Sequence, residues 1–226
     1  MKIFLLHGDD FLRAKERLNS LITESKQKGF SVLRVSLEGK LNLAEQLSAK
    51  SLFETETVYL VENANKIPVD DLKWISRSTE ALAGTLIIYN EGFLGARVKG
   101  LLPKSLKEEE FKLPPLIFSF LNSFYPGNSS KSVQLLHSLT ATEPLEKIVH
   151  FLGRHLRDLY WVSRDPSVLP YKQDWRILKT LSQARKFKKG ELEGTIGELA
   201  EADVVSKTSD NPMIGLLDQI IATRLE

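Results

Sequence analysis

The sequence predicts a parallel α/β domain followed by an all-helical domain. In the first half, short apolar runs alternate with segments of helical periodicity, the order typical of a parallel sheet. These runs are continuously apolar, as expected where helices cover both faces of the sheet. After Pro114-Pro115 only helical patterns follow. We therefore predict an α/β domain over residues 1–112 and a helical domain over residues 113–226.

The first domain is expected to contain four buried strands and one edge strand. The buried strands are predicted at residues 3–6, 32–35, 57–61 and 85–89, and the edge strand at residues 110–113. Asp9 and Asp10 favour the start of a helix whose apolar face comprises Phe11, Ala14, Leu18 and Leu21. Asn42 is expected to cap a helix that contains Leu43 and Leu47. Pro68 is expected at the first position of another helix.

Six helical patterns follow the double proline, which itself interrupts both helices and strand ladders. Asn128 and Asp174 are expected to cap two of these helices, and Pro144 and Pro212 to open two others. Another is predicted from a single apolar stripe, formed by Leu192, Ile196, Leu199 and Val204.

Composition limits the classes of function. The formal net charge is only +2, with 31 basic against 29 acidic residues. The overall charge of the chain therefore does not indicate nucleic-acid binding. The absence of cysteine excludes a disulfide scaffold, thiolate catalysis and cysteine zinc sites. Neither a signal peptide nor a membrane-spanning run is predicted. We expect a soluble cytoplasmic protein.

A parallel sheet commonly binds nucleotides where its strands end, so the turn after the first strand is the place to look. That turn is His7-Gly8-Asp9-Asp10, and neither a Walker A loop nor a dinucleotide-binding glycine motif occurs in the chain. Two carboxylates at this helix start would also repel a phosphate group. The first domain is therefore expected to have a nucleotide-binding fold without a nucleotide site, and no cofactor is predicted.

Other catalytic sites are weakly indicated. The acidic pair Asp9 and Asp10 could form the magnesium site of a phospho-accepting receiver domain, but that chemistry also needs an aspartate after the third strand, where the chain has Glu62-Asn63. Helix capping explains the pair without further assumptions. The four histidines are expected to be exposed or partly packed, no metal site is predicted, and no serine lies in a nucleophile elbow. The sequence specifies no enzyme.

One dense basic run occurs at residues 185–189, where Arg185, Lys186, Lys188 and Lys189 surround a phenylalanine. Cations suit the negative end of a helix dipole, so a solvated helix end accounts for the run. The alternative is contact with DNA phosphates, which would be independent of base sequence. One cluster does not decide between these two interpretations.

Ser51-Leu52-Phe53 places two large apolar side chains in a turn between a predicted helix and a predicted strand. Polar residues follow directly at Glu54-Thr55-Glu56. We therefore expect Leu52 and Phe53 to be partly exposed at the edge of the turn, and exposed apolar anchors usually indicate a protein partner. The alternative is that both side chains pack under the edge of the sheet.

Several motifs occur together in a recognisable order. In the first half they are Gly8-Asp9-Asp10-Phe11-Leu12, the Ser-Leu-Phe turn, Val61-Glu62-Asn63 and a Leu-Ile-Ile-Tyr strand. In the second half they are the segments at residues 151–159, 181–187 and 199–203, with Lys207. This order resembles the delta subunit of the bacterial DNA polymerase III clamp loader, over most of the chain.

The resemblance implies an AAA+-like first domain that has lost ATP hydrolysis, and a helical collar domain through which loader subunits assemble. It further implies that Leu52 and Phe53 enter a hydrophobic pocket on the sliding clamp, with Ser51 shaping the turn. The implied partners are the sliding clamp, the ATPase and delta-prime type loader subunits, and primed DNA through the complex.

The chain departs from the family between its two domains. The family has a middle helical lid domain, whereas here residues 111–115 run almost directly into the segment that resembles the collar. Residues 92–107, with Gly92, Gly95, Gly100 and Pro103, also form a poor helix where the family has a basic amphipathic one. The leading hypothesis is a minimal, non-catalytic delta subunit. The alternative is a clamp- or DNA-binding scaffold that works outside the loader.

Overall fold

The structure is a computed structural model that describes residues 1–37, 43–48, 56–169 and 173–226. The chain divides into two compact units, Met1–Leu113 and Pro114–Glu226. Within the described ranges, no helix is both long enough and apolar enough to cross a membrane.

The first unit is built on a parallel sheet. Its strands are β1 (Lys2–Gly8), β2 (Ser31–Arg34), β3 (Thr57–Glu62), β4 (Thr85–Glu91) and β5 (Lys107–Glu110), in the order β2-β3-β4-β1-β5. All four neighbouring pairs are parallel. The helices are α1 (Phe11–Gln27), α2 (Leu43–Ser48), α3 (Val69–Ser78) and α4 (Ala96–Leu101), with a 3₁₀ turn at Ala64–Lys66. The predicted fold class is confirmed for this unit.

Helices cover both faces of the sheet. On one face, α1 packs Ala14, Leu18 and Leu21 against alternate residues of the central strands, including Leu6, Leu60 and Ile87. On the other face, residues of α2 and α3 pack against the intervening strand residues, including Leu5, Val61 and Ile88. Since strand side chains alternate between faces, burial of both sets explains why these strands are continuously apolar.

The edge strand differs from its prediction. It was expected at residues 110–113, but β5 comprises Lys107–Glu110 and pairs Phe4 with Lys107 and His7 with Glu110. The strand sequence Lys-Glu-Glu-Glu contains no apolar residue, so no hydrophobic pattern predicts a strand there. Its charged side chains are accommodated because Glu109 binds Arg17 of α1, on one face, and Glu108 binds Lys99 of α4, on the other.

The second unit is helical throughout its described residues. Its helices are α5 (Pro115–Ser123), α6 (Ser129–Thr140), α7 (Leu145–Val162), α8 (Asp174–Ala184), α9 (Glu191–Thr208) and α10 (Met213–Arg224), with a 3₁₀ turn at Pro166–Val168. The long helix α7 contacts α5, α6, α8 and α9, and it buries residues along its length, among them Ile148, Leu152, Leu156 and Leu159. The prediction of an all-helical second domain is confirmed.

Several local predictions about the helices need correction. Asp10 caps α1 as expected, accepting a hydrogen bond from the Arg13 amide. Asn128 precedes α6, but its side-chain amide donates to the Ser123 carbonyl oxygen instead of capping the helix. Asp174 is the first residue of α8 and follows the cap position. Val204 is 58% exposed, because the buried stripe of α9 continues to Ala202 and not to residue 204. Asn42 lies outside the described residues.

Candidate functional site

The carboxyl ends of β1 and β4 are the place where an open parallel sheet would bind a nucleotide. Here that edge is closed by the backbone of the chain. The Gly8 amide donates to the Gly92 carbonyl at 3.0 Å, and the Gly92 amide donates back to Gly8 at 3.1 Å. The Asp10 amide donates to the Phe111 carbonyl at 2.9 Å. Two amides of this turn, those of Gly8 and Asp10, are therefore already bonded to carbonyl oxygens and not directed at a ligand.

Asp10, the second residue of the acidic pair after β1, is oriented by its own helix. Asp10 is fully buried and accepts the Arg13 amide at 3.3 Å, and the carboxylate suits the positive end of the α1 dipole. At the end of β3, Glu62 accepts from Lys15 at 3.0 Å and from Arg34 at 3.3 Å. These contacts assign structural roles to both carboxylates. The receiver-domain hypothesis stays a prediction.

His7 is the buried residue that the sequence interpretation missed. It was expected to be exposed or partly packed, but it is fully buried, because it follows Ile3 and Leu5 on one face of β1 and faces the core. Its Nε2 lies 2.8 Å from Glu108, and its Nδ1 has no hydrogen-bond partner among the described residues. The alternation of strand side chains was the signal that could have located it.

His7, Glu108 and Glu110 form the one group among the described residues whose ligand atoms could jointly hold a metal ion, since these atoms lie within 4.8 Å of one another. The Lys99 ammonium, however, lies 2.6 Å from Glu108, and Lys112 lies 3.4 Å from Glu110. Contact with Lys99 is the first cause, and contact with His7 the second, that lowers the pKa of Glu108. Two lysines thus already neutralise these carboxylates, and we interpret the group as a charge network that holds β5 and α4 together.

Ser51, Leu52 and Phe53, the candidate clamp-binding residues, lie outside the described residues. The residues on either side are described. Helix α2 ends at Ser48, with Leu43 and Leu47 buried in the core, and the Glu56 carbonyl accepts from the Ser31 amide at 3.1 Å where the chain enters β3. The segment therefore connects two anchored elements of the first unit.

The basic run follows the end of α8 in the second unit. Arg185, Lys186, Lys188 and Lys189 are all exposed, whereas Phe187 is partly buried. The Lys186 ammonium lies 3.3 Å from the centroid of the Tyr125 ring, a cation–π contact. The Lys188 backbone and side chain both contact Glu191. Within the part of the chain that the structure describes, the Arg185 and Lys189 side chains make no ion pair or cation–π contact.

A buried polar network fixes α8 from its other side. The Gln183 side-chain amide donates to the carbonyl oxygens of Leu121 at 2.8 Å and Phe124 at 3.0 Å, and its oxygen accepts from His155 at 3.1 Å. Burial lowers the pKa of His155 to about 4, so the ring is neutral at pH 7 and donates through Nε2. Sequence reasoning missed this network, because Gln183 lies within a motif of otherwise ordinary helical residues.

Comparison with solved structures finds several matches, all at low sequence identity. The Bacillus subtilis DNA clamp loader delta protein is 15% identical with a TM-score of 0.44, over 99% of this chain and 95% of that one. A DNA polymerase III gamma subunit-related protein of Thermotoga maritima is 13% identical with a TM-score of 0.34, over 99% and 93%. The Aeropyrum pernix ORC1 protein, solved in complex with DNA, is 14% identical with a TM-score of 0.32, over 96% and 70%.

No protein-family model matches this sequence. A search of curated proteins likewise finds no match.

Proposed function

We propose that this chain is a non-catalytic clamp-loader delta subunit that binds a sliding clamp through Ser51, Leu52 and Phe53. The observation that carries the proposal is the placement of the motifs on which the family resemblance rests. Gly8 is the last residue of β1, and Asp9-Asp10 follow it directly. Val61-Glu62 ends β3, with Asn63 directly after it, and the Leu-Ile-Ile-Tyr segment lies in β4. These three strands are adjacent in the sheet, in the order β3-β4-β1.

The closed edge of the sheet supports a non-catalytic role. The Gly8 and Asp10 amides are bonded to the carbonyl oxygens of Gly92 and Phe111, so phosphate binding at this turn would first have to break these bonds. A delta subunit of this kind would bind its partners without hydrolysing ATP, and hydrolysis would belong to the ATPase subunits of the loader. The expected location is the cytoplasm.

The connection between the units supports a short form of the subunit. Only residues 111–114 separate the end of β5 from the start of α5, and no helix lies between them in this fully described stretch. A middle lid domain would have to be inserted here. We therefore propose that the chain binds the clamp and joins the loader through its helical unit without a lid.

The clamp contact itself is tested by mutation. Burying one leucine and one phenylalanine side chain contributes on the order of 3–6 kcal/mol before the costs of association. The variant Leu52→Ala/Phe53→Ala is expected to lose capture by the immobilised cognate sliding clamp, while its circular dichroism and melting stay close to wild type. The matched control is Leu33→Ala/Phe93→Ala, which removes two apolar side chains of the same unit that are 52% and 51% exposed.

Two experiments, clamp capture and mixing with the other loader subunits, decide the proposal. Loss of clamp capture in the Leu52/Phe53 variant alone supports it. Normal capture by that variant, or equal loss in the control, overturns the assignment of the binding residues. Mixing with the ATPase and delta-prime type subunits then tests assembly: co-elution supports a loader subunit, whereas a chain that binds the clamp but stays apart from the other subunits supports a scaffold outside the loader.

A further inference from the structure

Helix α8 presents an exposed face that combines aromatic, aliphatic and cationic side chains. Trp175 is 67% exposed and Leu178 is 63% exposed. Lys179 and Ser182 are exposed one and two turns further along, and Arg185 and Lys186 continue the same face past the end of the helix. Backbone hydrogen bonds from the Arg185 amide to Leu181 and from the Lys186 amide to Gln183 form a turn directly after the last residue of α8. We call these six residues the α8 face.

The opposite side of α8 holds this face in place. Thr180, Gln183 and Ala184 are buried, and Gln183 bonds to two carbonyl oxygens of the α5 region and to His155 of α7. A helix fixed by buried polar contacts presents its exposed side chains in a defined orientation. A ligand that binds the α8 face therefore meets a surface organised in advance, which reduces the entropy cost of binding.

Positive charge extends from α8 onto α7. The Arg157 side chain is 58% exposed and lies 3.7 Å from Asp158, which is itself buried. Arg154 and Arg157 of α7 and Arg176 of α8 all act electrostatically on the Asp158 carboxyl, so these three cations lie around one buried carboxylate. Burial is the main cause of the lowered pKa of His155, and the positive charges of Arg176 and Lys179 lower this pKa further. On α8 itself the exposed carboxylate is Asp174, at the start of the helix beside Trp175.

We propose that the α8 face, together with Arg157, binds single-stranded nucleic acid. Cations spaced along a surface contact successive phosphates, and an exposed aromatic ring stacks on a base. Trp175 and Lys179 are four residues apart on a helix, so a base stacked on the indole has its backbone within reach of the ammonium group. From Trp175 to Lys186 the face extends about 16 Å along the helix axis, which is room for several nucleotides.

The chemistry favours this ligand over an apolar protein partner. An apolar surface laid on Trp175 and Leu178 would also bury Lys179, whose charge would then need a carboxylate or would pay a desolvation cost. A nucleic acid strand supplies both the flat apolar rings and the anions, at alternating positions along one chain. An acidic peptide is the competing ligand, and it becomes an outcome of the test.

The test uses the isolated 226-residue chain and fluorescein-labelled oligothymidylate. Binding is followed by anisotropy and by tryptophan quenching across a range of salt concentrations. Trp175→Ala is expected to weaken binding roughly tenfold or more, and to remove most of the quenching. Lys179→Gln is expected to reduce the slope of log affinity against log salt by about one contact, with quenching by saturating oligonucleotide retained.

Matched controls change the same kinds of side chain on other helices of the unit. Val204→Ala removes an exposed apolar residue of α9, and Lys131→Gln removes an exposed lysine of α6. Both should bind like wild type, and circular dichroism should show all four variants folded. Because the measurement needs no clamp, it can succeed or fail whatever the result of the clamp experiment.

Three results would overturn the proposal. The first is a wild-type chain that fails to bind the oligonucleotide at low salt, and the second is α8 variants that bind it like the controls. The third is equal binding of oligoglutamate with the same dependence on Trp175, which would show that the face recognises acidic peptides.

Discussion

Gly8 and Phe111 approach so closely that a β-carbon on residue 8 would lie 2.1 Å from the Phe111 carbonyl oxygen. Gly8 also has a φ of +135°, a backbone conformation that other residues rarely adopt. This contact allows the chain that leaves β5 to close over the end of β1. The closed sheet edge therefore depends on the absence of a side chain at residue 8.

Replacement of Gly8 tests this dependence. Gly8→Ala should destabilise the first unit by more than about 3 kcal/mol, since a fixed backbone atom must move and the backbone of residue 8 is strained. Gly95→Ala is the control, because a β-carbon there meets nothing within 4 Å and φ is −63°. It should cost less than about 1 kcal/mol. Denaturant unfolding measures both, and equal effects would disprove the role of the Gly8 contact.

His155 makes the stability of the second unit depend on pH. Burial lowers its pKa from 6.5 to about 4 in the folded protein, so between these values the unfolded chain binds a proton that the folded chain does not. Stability is fully present above about pH 6.5 and is lost as the pH falls toward 4. Burial raises the pKa of Asp158, which acts in the opposite direction as the pH falls.

The variant His155→Gln separates these effects. It keeps a side-chain donor for Gln183 but cannot take up a proton, so the loss of unfolding free energy between about pH 6.5 and 4 should be smaller than in wild type. The comparison uses denaturant unfolding at several pH values in that interval. The same slope in both proteins would show that other groups cause the pH dependence.

Gln183 is expected to be a main polar support of α8. Gln183→Leu keeps the approximate volume but leaves the Leu121 and Phe124 carbonyl oxygens and the His155 Nε2–H without this partner. We expect a loss of about 2–4 kcal/mol in unfolding free energy. The control is Gln134→Leu at an exposed position of α6, where the same substitution should change stability by less than about 0.5 kcal/mol. Similar losses at both positions would contradict the network.

The ion pair of Arg17 and Glu109 should contribute modestly and in a salt-dependent way. Arg17 bonds Glu109 at 2.9 Å and 3.3 Å through two nitrogens, and this hydrogen bonding lowers the pKa of the Glu109 carboxyl. The stabilisation is therefore present above the ordinary value of 4.5 and is lost as the pH falls through the lowered pKa. A double-mutant cycle with Arg17→Gln and Glu109→Gln should give a coupling of about 0.5–1 kcal/mol near neutral pH, decreasing in high salt.

A coupling that stays constant at high salt would show that the two side chains interact through packing and not through charge.

The sequence predicted the apolar elements well because their patterns report burial directly. The four buried strands and the apolar face of α1 were predicted from the positions of apolar residues. Two of these residues, Leu18 and Leu60, are buried in the structure, as the pattern requires. The edge strand β5 was misplaced because its Lys-Glu-Glu-Glu segment is stabilised by partners on other elements, Arg17 and Lys99, which no local pattern shows. Asn128 was misjudged for a similar reason, since its donor bonds Ser123 across the turn.

For the candidate sites too, local features were visible in the sequence, whereas contacts between distant residues were not. The absence of glycine-rich phosphate motifs was visible in the sequence, but the hydrogen bonds that close the sheet edge join Gly8 to Gly92 and Asp10 to Phe111, which are far apart in the chain. The basic run was found from composition, whereas the α8 face became visible only when the structure showed that Trp175 and Leu178 are exposed. Their spacing along the helix is, by itself, typical of a buried apolar face.

The charges of β5 have a consequence for the solubility of the first unit. An edge strand offers unpaired backbone groups to which a strand of another molecule can add. Here every side chain of the strand is ionisable, from Lys107 through Glu110, so a second copy approaching in register would bring like charges together and strip water from them. We therefore expect the carboxylates that hold α1 and α4 to the sheet also to disfavour the addition of another strand at this edge.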